Sequence, residues 1–375
     1  MSERVLITGG AGFVGSHLAD ALAHAGHEVI LFDNLEPQVH TAGLERPAYL
    51  DPRHRLERGD IRDLAALSPL VREVDVIFHL AAMVGVGQSM YQVRRYTDVN
   101  AMGMATLLEA IATQRAELPL RKLIVASSMS LYGEGAYECE TCGRVAPRLR
   151  PNAQLAAGQW EVRCPTCHAE LRPLPTDEDK PLFPTSIYAI TKRDHEEMAL
   201  AFGHAYDLAA VALRFFNIYG SRQALSNPYT GVAAIFSGRM LAGQVPSIYE
   251  DGHQQRDFVH VADIVQACRL AMDNTAADGQ VFNVGTGRPI SVLQVGELLA
   301  RELGWTGGFE ITRKFRAGDI RHCFADISRI KNAIGYTPRH AFEDGVRELV
   351  SWVAEQQAVA TGDADGQLAA YGLVR

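Results

Sequence analysis

The chain is 375 residues long, 47% hydrophobic, and carries 36 Lys and Arg against 44 Asp and Glu, a formal net charge of -8. That length and apolar fraction exclude a disordered chain and supply core for one large or two medium domains, while dispersed acidic residues without any Lys/Arg run argue against nucleic acid or an anionic membrane as main partner. No stretch approaches the roughly 20 apolar residues of a membrane span, the start shows no basic region followed by an apolar run, and six cysteines are too few for a secreted disulfide framework, so a cytoplasmic protein is expected.

From residue 4 to about 130, short runs rich in Val, Ile and Leu alternate with stretches of helical period. RVLIT, HEVILF, HRLERG, DVIFHL and KLIVASS read as strands, while FVGSHLADALAHAG and MGMATLLEAIATQ read as helices with small and apolar residues on one face. The alternation predicts an α/β fold, a Rossmann-type doubly wound parallel sheet with ligands at the carboxyl ends of its strands. Residues 134 to about 175 break the pattern with Cys, Gly, Pro and Arg, and read as an insertion. Regular structure resumes in the helix TSIYAITKRDHEEMALAFGHAY and the strand AAVALRF. The expected division is 1–133 with 174–218 for a dinucleotide-binding domain, 134–173 for the insertion, and 219–375 mainly for a smaller substrate domain, some of whose segments return to the first. The final TGDADGQLAAYGLVR reads as frayed or lightly docked.

RVLIT runs directly into Gly9-Gly10-Ala11-Gly12-Phe13-Val14-Gly15 and then a helix. Glycines there permit a tight turn, let the backbone approach a pyrophosphate, and let the helix pack closely on the strand with its N-terminus toward negative charge. Asp33 ends the second strand, at the distance expected of a ribose-binding carboxylate. Its charge and the following Asn34 favour NAD over NADP, unless Arg58 or Arg62 folds back to accept a 2'-phosphate. Farther on, Tyr188 and Lys192 lie four apart on one helical face. A lysine cation beside a tyrosine stabilises the phenolate, which makes the pair a usable proton acceptor.

Together TGGAGFVG at 8 to 15, SSMSLYG at 127 to 133, Tyr188-Ala-Ile-Thr-Lys192, RFFNIYG at 214 to 220, RDFVHVAD at 256 to 263 and GDIRHCFAD at 318 to 326 resemble the extended short-chain dehydrogenase/reductase family, the nucleotide-sugar epimerases and dehydratases. The resemblance implies catalysis by Ser128, Tyr188 and Lys192. It implies cofactor contacts from Gly9, Gly12, Phe13, Val14, Gly15, Asp33 and Asn34, continued by Asp60, Ile61, Leu80, Ala81, Ala82 and Asn100, with Tyr188 and Lys192 closing the site. For a nucleotide-diphosphate sugar it implies Met83, Val84 and Gly85 beside the hexose with Ser128 and Ser130, and Asn217, Val232, Arg256 and Arg321 toward the nucleotide and its phosphates. Dehydratases of the family place Asp-Glu after the Ser/Thr, whereas Met129 and Ser130 stand here. Two uncharged side chains cannot carry an elimination, which leaves epimerisation or reduction. A homodimer is the family expectation, and His79 reads as a packed core histidine.

Cys139, Cys142, Cys164 and Cys167 form a C-x2-C-x21-C-x2-C pattern. Four thiolates on two tight turns make a closed tetrahedral site, the signature of structural zinc in a ribbon whose strands GRV and AEL can supply. A haem-attachment reading of CPTCH through His168 finds no export signal and leaves the other pair unexplained; a redox dithiol or two disulfides suit a cytoplasmic chain poorly. Because the insertion separates Ser128 from Tyr188, it is expected to wall or cap the substrate cleft or to support a subunit contact. Cys268 and Cys323 read as packed thiols. The ribbon and the segments flanking it resemble most the dTDP-L-rhamnose 4-epimerase subgroup, implying a dTDP-6-deoxyhexose as substrate, with a 4-ketoreductase or a UDP-hexose 4-epimerase as alternatives and a non-catalytic NAD sensor, which the intact Ser128, Tyr188 and Lys192 disfavour, as a third.

Overall fold

A computed structural model describes residues 2–40, 42–224, 231–356 and 364–375. The first half runs β1 (Arg4–Thr8), α1 (Phe13–His24), β2 (Glu28–Asp33), β3 (Arg55–Arg58), α2 (Leu64–Arg72), β4 (Val76–His79), the single turns α3 (Val86–Ser89) and α4 (Val93–Tyr96), a π-helical turn over Thr97–Met102, α5 (Gly103–Ala112) and β5 (Lys122–Ser128). The insertion comes next, with β6 (Ala136–Cys139), β7 (Gly143–Val145), α6 (Asn152–Ala156) and β8 (Arg172–Leu174). Then come α7 (Ile187–Tyr206), β9 (Ala209–Phe215), β10 (Asn217–Tyr219), α8 (Val232–Leu241), β11 (Ser247–Ile248), β12 (Gln255–His260), α9 (Val261–Asp273), β13 (Val281–Val284) and β14 (Pro289–Ser291). The chain ends with α10 (Val292–Leu303), β15 (Glu310–Ile311), β16 (His322–Cys323), α11 (Ser328–Ile334), α12 (Phe342–Glu355) and α13 (Ala364–Ala370).

Seven parallel strands form the main sheet in the order β13-β9-β5-β4-β1-β2-β3. Its apolar runs work because both faces are covered: Val5, Ile7, Leu31 and Phe78 enter one core cluster, while the alternating Leu6, Ile30, Phe32 and Ile77 enter the other. The chain leaves β1 toward β2 on one side and β4 on the other, so the order reverses beside β1 and opens a crevice at the strand ends. The strands expected of the main sheet and the three long helices all form. β13 joins this sheet beside β9, so residues past 219 contribute to both lobes.

A second core holds the C-terminal lobe, where α8, α10 and α12 pack around Phe236, Phe258, Leu299 and Phe342. α10 shows why its sequence stops and starts there: Ser291 and Gln294 form a reciprocal capping box, and Gly304 closes the helix in the left-handed conformation at φ 64°. In the insertion, β7, β6 and β8 make a small antiparallel sheet, with GRV as β7. Glu170 of AEL reaches only an isolated bridge with Arg163, and a helical turn, α6, stands between the two cysteine pairs. Residues 361–363 of the final stretch lie outside the described residues. The C-terminal end beyond them is docked rather than frayed: Val374 bridges Arg316, Tyr371 stacks on Tyr91 at 4.4 Å, and Leu368 is buried.

Candidate active site

The crevice holds a cavity of about 580 Å³ that runs from the glycine turn to Asn217 and Gln223. At one end β1 breaks into the turn at Gly9, whose φ is 71°. A Cβ there would stand 2.8 Å from the Ala81 nitrogen, and one at Gly15 would stand 2.3 Å from the Gly9 carbonyl. Both glycines are therefore demanded by close packing of turn, helix and neighbouring strand. Gly12 precedes α1, and the only atom a Cβ there would meet within 4 Å is the Gly9 carbonyl oxygen, at 3.2 Å. Its backbone faces open space at a helix N-terminus, which fits a pyrophosphate.

Asp33 lines the same end, and its carboxylate accepts the backbone N–H of Ala11 at 3.0 Å and of Leu35 at 2.9 Å. Burial nevertheless pushes its carboxyl upward. Arg62 reaches the wall but is held by Asp60 and Asp98, so its guanidinium is not free for a 2'-phosphate. Asn34, Ile61 and Leu80 to Ala82 line the cavity; Asp60 does not, its carboxylate being turned to Arg62.

The middle of the cavity carries the reactive groups. β5 ends in Ser128 and α7 presents Tyr188 and Lys192, and all three line the space together. α7 begins where it does because Ser186 caps it, accepting from the Ala189 N–H. Ser130 donates its hydroxyl to Ser128 Oγ at 2.9 Å, which leaves the Ser128 proton for another acceptor; Ser130 itself is not in the wall. Burial pushes the Tyr188 phenol up to about 12, against the pull of the Ser128 hydroxyl. Burial also draws the Lys192 ammonium down to about 7, with Nζ donating to the Ala126 carbonyl at 2.9 Å. The acidic groups of the described wall, Asp33 and Glu36, sit at the glycine-turn end.

Met83, Val84 and Gly85 lie opposite. Asn100 does not line the cavity. Its side chain instead accepts from the Met83 N–H at 2.7 Å and donates to the Met83 carbonyl at 3.1 Å, fixing that loop from behind. Asn217 lines the far end with its Oδ1 buried and without a hydrogen-bond partner among the described residues, so it can accept from a ligand's donor. Gln223, which the motifs do not mark, repeats the arrangement.

Three expected substrate residues stand elsewhere. Val232 packs into the second core, while its neighbours Gly231 and Ala233 face the cavity; residues 225–230 lie outside the described residues. Arg321 is 1% exposed, and its guanidinium is saturated by Glu161 at 2.9 Å, Asp251 at 2.7 Å and Glu250 at 3.0 Å. Arg256 donates to the Ile320 carbonyl at 2.7 Å and to Asp319 at 3.1 Å. Arg321 thus joins the insertion to the C-terminal lobe and Arg256 braces the 319–321 segment beside it, and neither lines the described wall. The insertion likewise contributes no residue to that wall, so of the roles expected of it the lining of the cleft is not what this arrangement shows. It docks on the C-terminal lobe instead, through Arg150 and Glu161. Its four cysteine sulfurs lie within 4.8 Å of one another, close enough for one tetrahedral ion. Cys268 and Cys323 are buried, and His79 is 1% exposed.

The model of the NAD dependent epimerase/dehydratase family matches residues 5–157 and 166–285. The dTDP-L-rhamnose 4-epimerase of Burkholderia thailandensis is 33% identical over 356 residues, spanning 94% of this chain and 96% of that protein. A UDP-glucose 4-epimerase of Thermotoga maritima, solved with UDP-glucose, superposes with a TM-score of 0.75 at 30% identity, over 94% of this chain and 99% of that one. A Thermus thermophilus UDP-glucose 4-epimerase in complex with NAD gives 0.73 at 28% identity, over 94% and 100% of the two chains. With its glycine turn, its Asp33 and its Ser128, Tyr188 and Lys192 gathered in one crevice, the chain belongs to the NAD-dependent epimerase/dehydratase family.

Proposed function

We propose that the chain inverts C4 of dTDP-L-rhamnose or a related dTDP-6-deoxyhexose, with structural zinc in a ribbon formed by Cys139, Cys142, Cys164 and Cys167. The broader activity is that of an NAD-dependent nucleotide-sugar epimerase. The observation that carries it is the convergence of Ser128, Tyr188 and Lys192 on the cavity that begins at the glycine turn, with Met129 and Ser130 where an elimination would need an acid and a base.

Bound NAD supplies reversible hydride acceptance at the sugar's C4. Tyr188 takes the proton of the 4-hydroxyl, and the Ser128 hydroxyl, freed by the bond it accepts from Ser130, donates to the same oxygen. The Lys192 cation favours the phenolate. The resulting 4-keto sugar turns over while Asn217 and Gln223 hold the nucleotide end, and Tyr188 returns its proton to the oxygen on the new face. The narrower sugar assignment is supported by the Burkholderia relative and by the cysteine ribbon.

Among the described residues no helix is long and apolar enough to cross a membrane, which accords with a cytoplasmic enzyme. Val93, Met102 and Ile190 expose apolar side chains beside one another's helices, a surface for the proposed homodimer.

A proton NMR time course of dTDP-L-rhamnose with enzyme and substoichiometric NAD tests the reading. Altered H4 coupling without net NADH establishes 4-epimerisation. Stoichiometric cofactor consumption with a 4-keto sugar points to a ketoreductase, and turnover of UDP-hexoses alone moves the substrate.

A further inference from the structure

Two stretches leave the main sheet on either side of β1 and meet again. β2 and β4 both pair with β1, the strand that runs into the glycine turn. The stretch after β2 gives Glu36 and Gln38 to the cavity wall, and the stretch after β4 gives Val84 and Arg95. Two ties join them. Gln38 and Gln88 exchange reciprocal amide hydrogen bonds of 3.0 Å each, and the Arg95 guanidinium donates to the Glu36 carboxylate at 2.6 Å. Through β1 and these ties the chain closes into a ring, and both of its arms line the cavity that begins at the glycine turn.

Each arm is seated independently of the ties. Leu35 has a φ of 54°, a costly conformation for a bulky side chain, and the Asp33 carboxylate accepts its N–H at 2.9 Å. The carboxylate expected to hold the cofactor's ribose therefore also sets the arm that carries Glu36 and Gln38. On the other arm Gln88 is 5% exposed, and the hydroxyl of the fully buried Tyr96 lies 2.9 Å from its Oε1. Gln88 is not part of the cavity wall, so its amide acts on the contents of the cavity through Gln38. The two ties differ in kind. The ion pair is partly exposed and screened by salt, whereas the amide pair is shielded and holds its geometry at any ionic strength.

We propose that Gln38 with Gln88 and Glu36 with Arg95 form a clasp through which NAD passes, so that opening of these two ties sets the rate at which the dinucleotide enters and leaves. Gln88 is the positioning residue of the clasp. A gate of this kind suits a cofactor that ends each turnover as it began and has no need to exchange. The inference rests on NAD occupying this cavity, as the proposed function requires.

Nicotinamide fluorescence in a stopped-flow instrument reads both directions without any sugar. Entry is the uptake of NADH by the cofactor-free full-length chain, and release is the loss of bound NADH on a chase with excess NAD. Gln38→Met and Gln88→Met are each expected to speed release by about 10-fold, and the double variant by no more than either, because each single change already removes the whole amide pair. Glu36→Gln and Arg95→Gln, which alter only partly exposed side chains, are each expected to speed it by about 3-fold, again without addition in the double variant. Entry accelerates in step, so Kd stays within about 2-fold of the parent, since a gate lowers the barrier in both directions. Unchanged release, effects that add in the double variants, or faster release without faster entry each overturn the proposal: the second means independent contacts with the dinucleotide, the third a damaged site. A parent chain that takes up no NADH overturns the cofactor reading and this one with it, whereas unchanged rates over normal uptake overturn this one alone.

Discussion

Arg150 of the insertion grips Glu250 of the C-terminal lobe through two parallel hydrogen bonds of 2.9 Å, with both side chains buried. The same guanidinium lies 3.6 Å from Glu134, and Glu250 also accepts from Arg321. Buried carboxylates of this kind depend on every partner being present. Arg150→Ala is expected to cost about 3 kcal/mol of stability by leaving Glu134 and Glu250 under-compensated. Urea unfolding measures it, and a loss below about 1 kcal/mol, the range of a surface pair, would show that the seam is held by other contacts.

At the catalytic end, Tyr188→Phe removes the proton acceptor and changes little else. Turnover is expected to fall by at least about 100-fold. Ser128→Ala, which removes a donor to the same sugar oxygen, is expected to cost on the order of 100-fold. Both variants should retain the NAD content of the parent, because the glycine turn and Asp33 are untouched. Cofactor content by absorbance together with steady-state rates separates loss of chemistry from loss of binding, and wild-type turnover in Tyr188→Phe is incompatible with the assigned role.

Much of this site was legible because local signals carried it. RVLIT followed by the glycine cluster announced the turn, and Tyr188 with Lys192 share a helical face by spacing alone. What escaped was whatever depends on partners distant in the chain. Arg321 meets Glu161 across 160 residues, so a motif could mark the arginine without saying that a carboxylate of the insertion claims it. His79 was read correctly as buried, yet its ring contact with His195, 4.9 Å between centroids, joins a strand to a helix far downstream. Tyr371 looked loose because its partner, Tyr91, lies on the opposite lobe. The insertion was recognisable by its composition, but its docking side depends on charges such as Glu250 that belong to another lobe.

The four cysteines frame a prediction about metal. Cys139 and Cys164 are buried, Cys142 and Cys167 exposed, and Cys139 Sγ lies 3.4 Å from Cys167 Sγ. Thiolates about 2.3 Å from a single zinc lie about 3.8 Å apart, a spacing that small adjustments from this arrangement reach. Elemental analysis of the purified protein is expected to find about one zinc per chain. Both arms of the cluster feed the seam, since Tyr137 on β6 donates to Glu134 and Glu161 lies three residues before Cys164. Cys139→Ser, or exhaustive chelation, should therefore lower the thermal midpoint by on the order of 5 °C. An unmoved midpoint after verified metal loss would mean that the fold of the insertion does not depend on the ion.

The buried lysine leaves a signature in stability as well as in catalysis. In the cofactor-free protein Lys192 titrates at about 7, drawn down from its ordinary 10.5 by burial. The unfolded chain keeps the ordinary value, so between these two pH values it binds the proton that the folded chain has released. Stability contributed at this position therefore rises with pH across that window and is lost as pH falls through it, at up to about 1.4 kcal/mol per pH unit. Tyr188 works in the opposite sense at higher pH: the folded state holds its phenol proton up to about 12, against an ordinary 10.0, so stability falls above pH 10. Measuring between pH 7 and 9.5 isolates the lysine. Unfolding free energies of wild type and Lys192→Met, both free of NAD, are expected to converge or cross in favour of wild type as pH rises, because methionine cannot titrate. Parallel curves would mean that Lys192 keeps its proton in the folded protein, and that its positive charge is compensated by groups other than the Ala126 carbonyl.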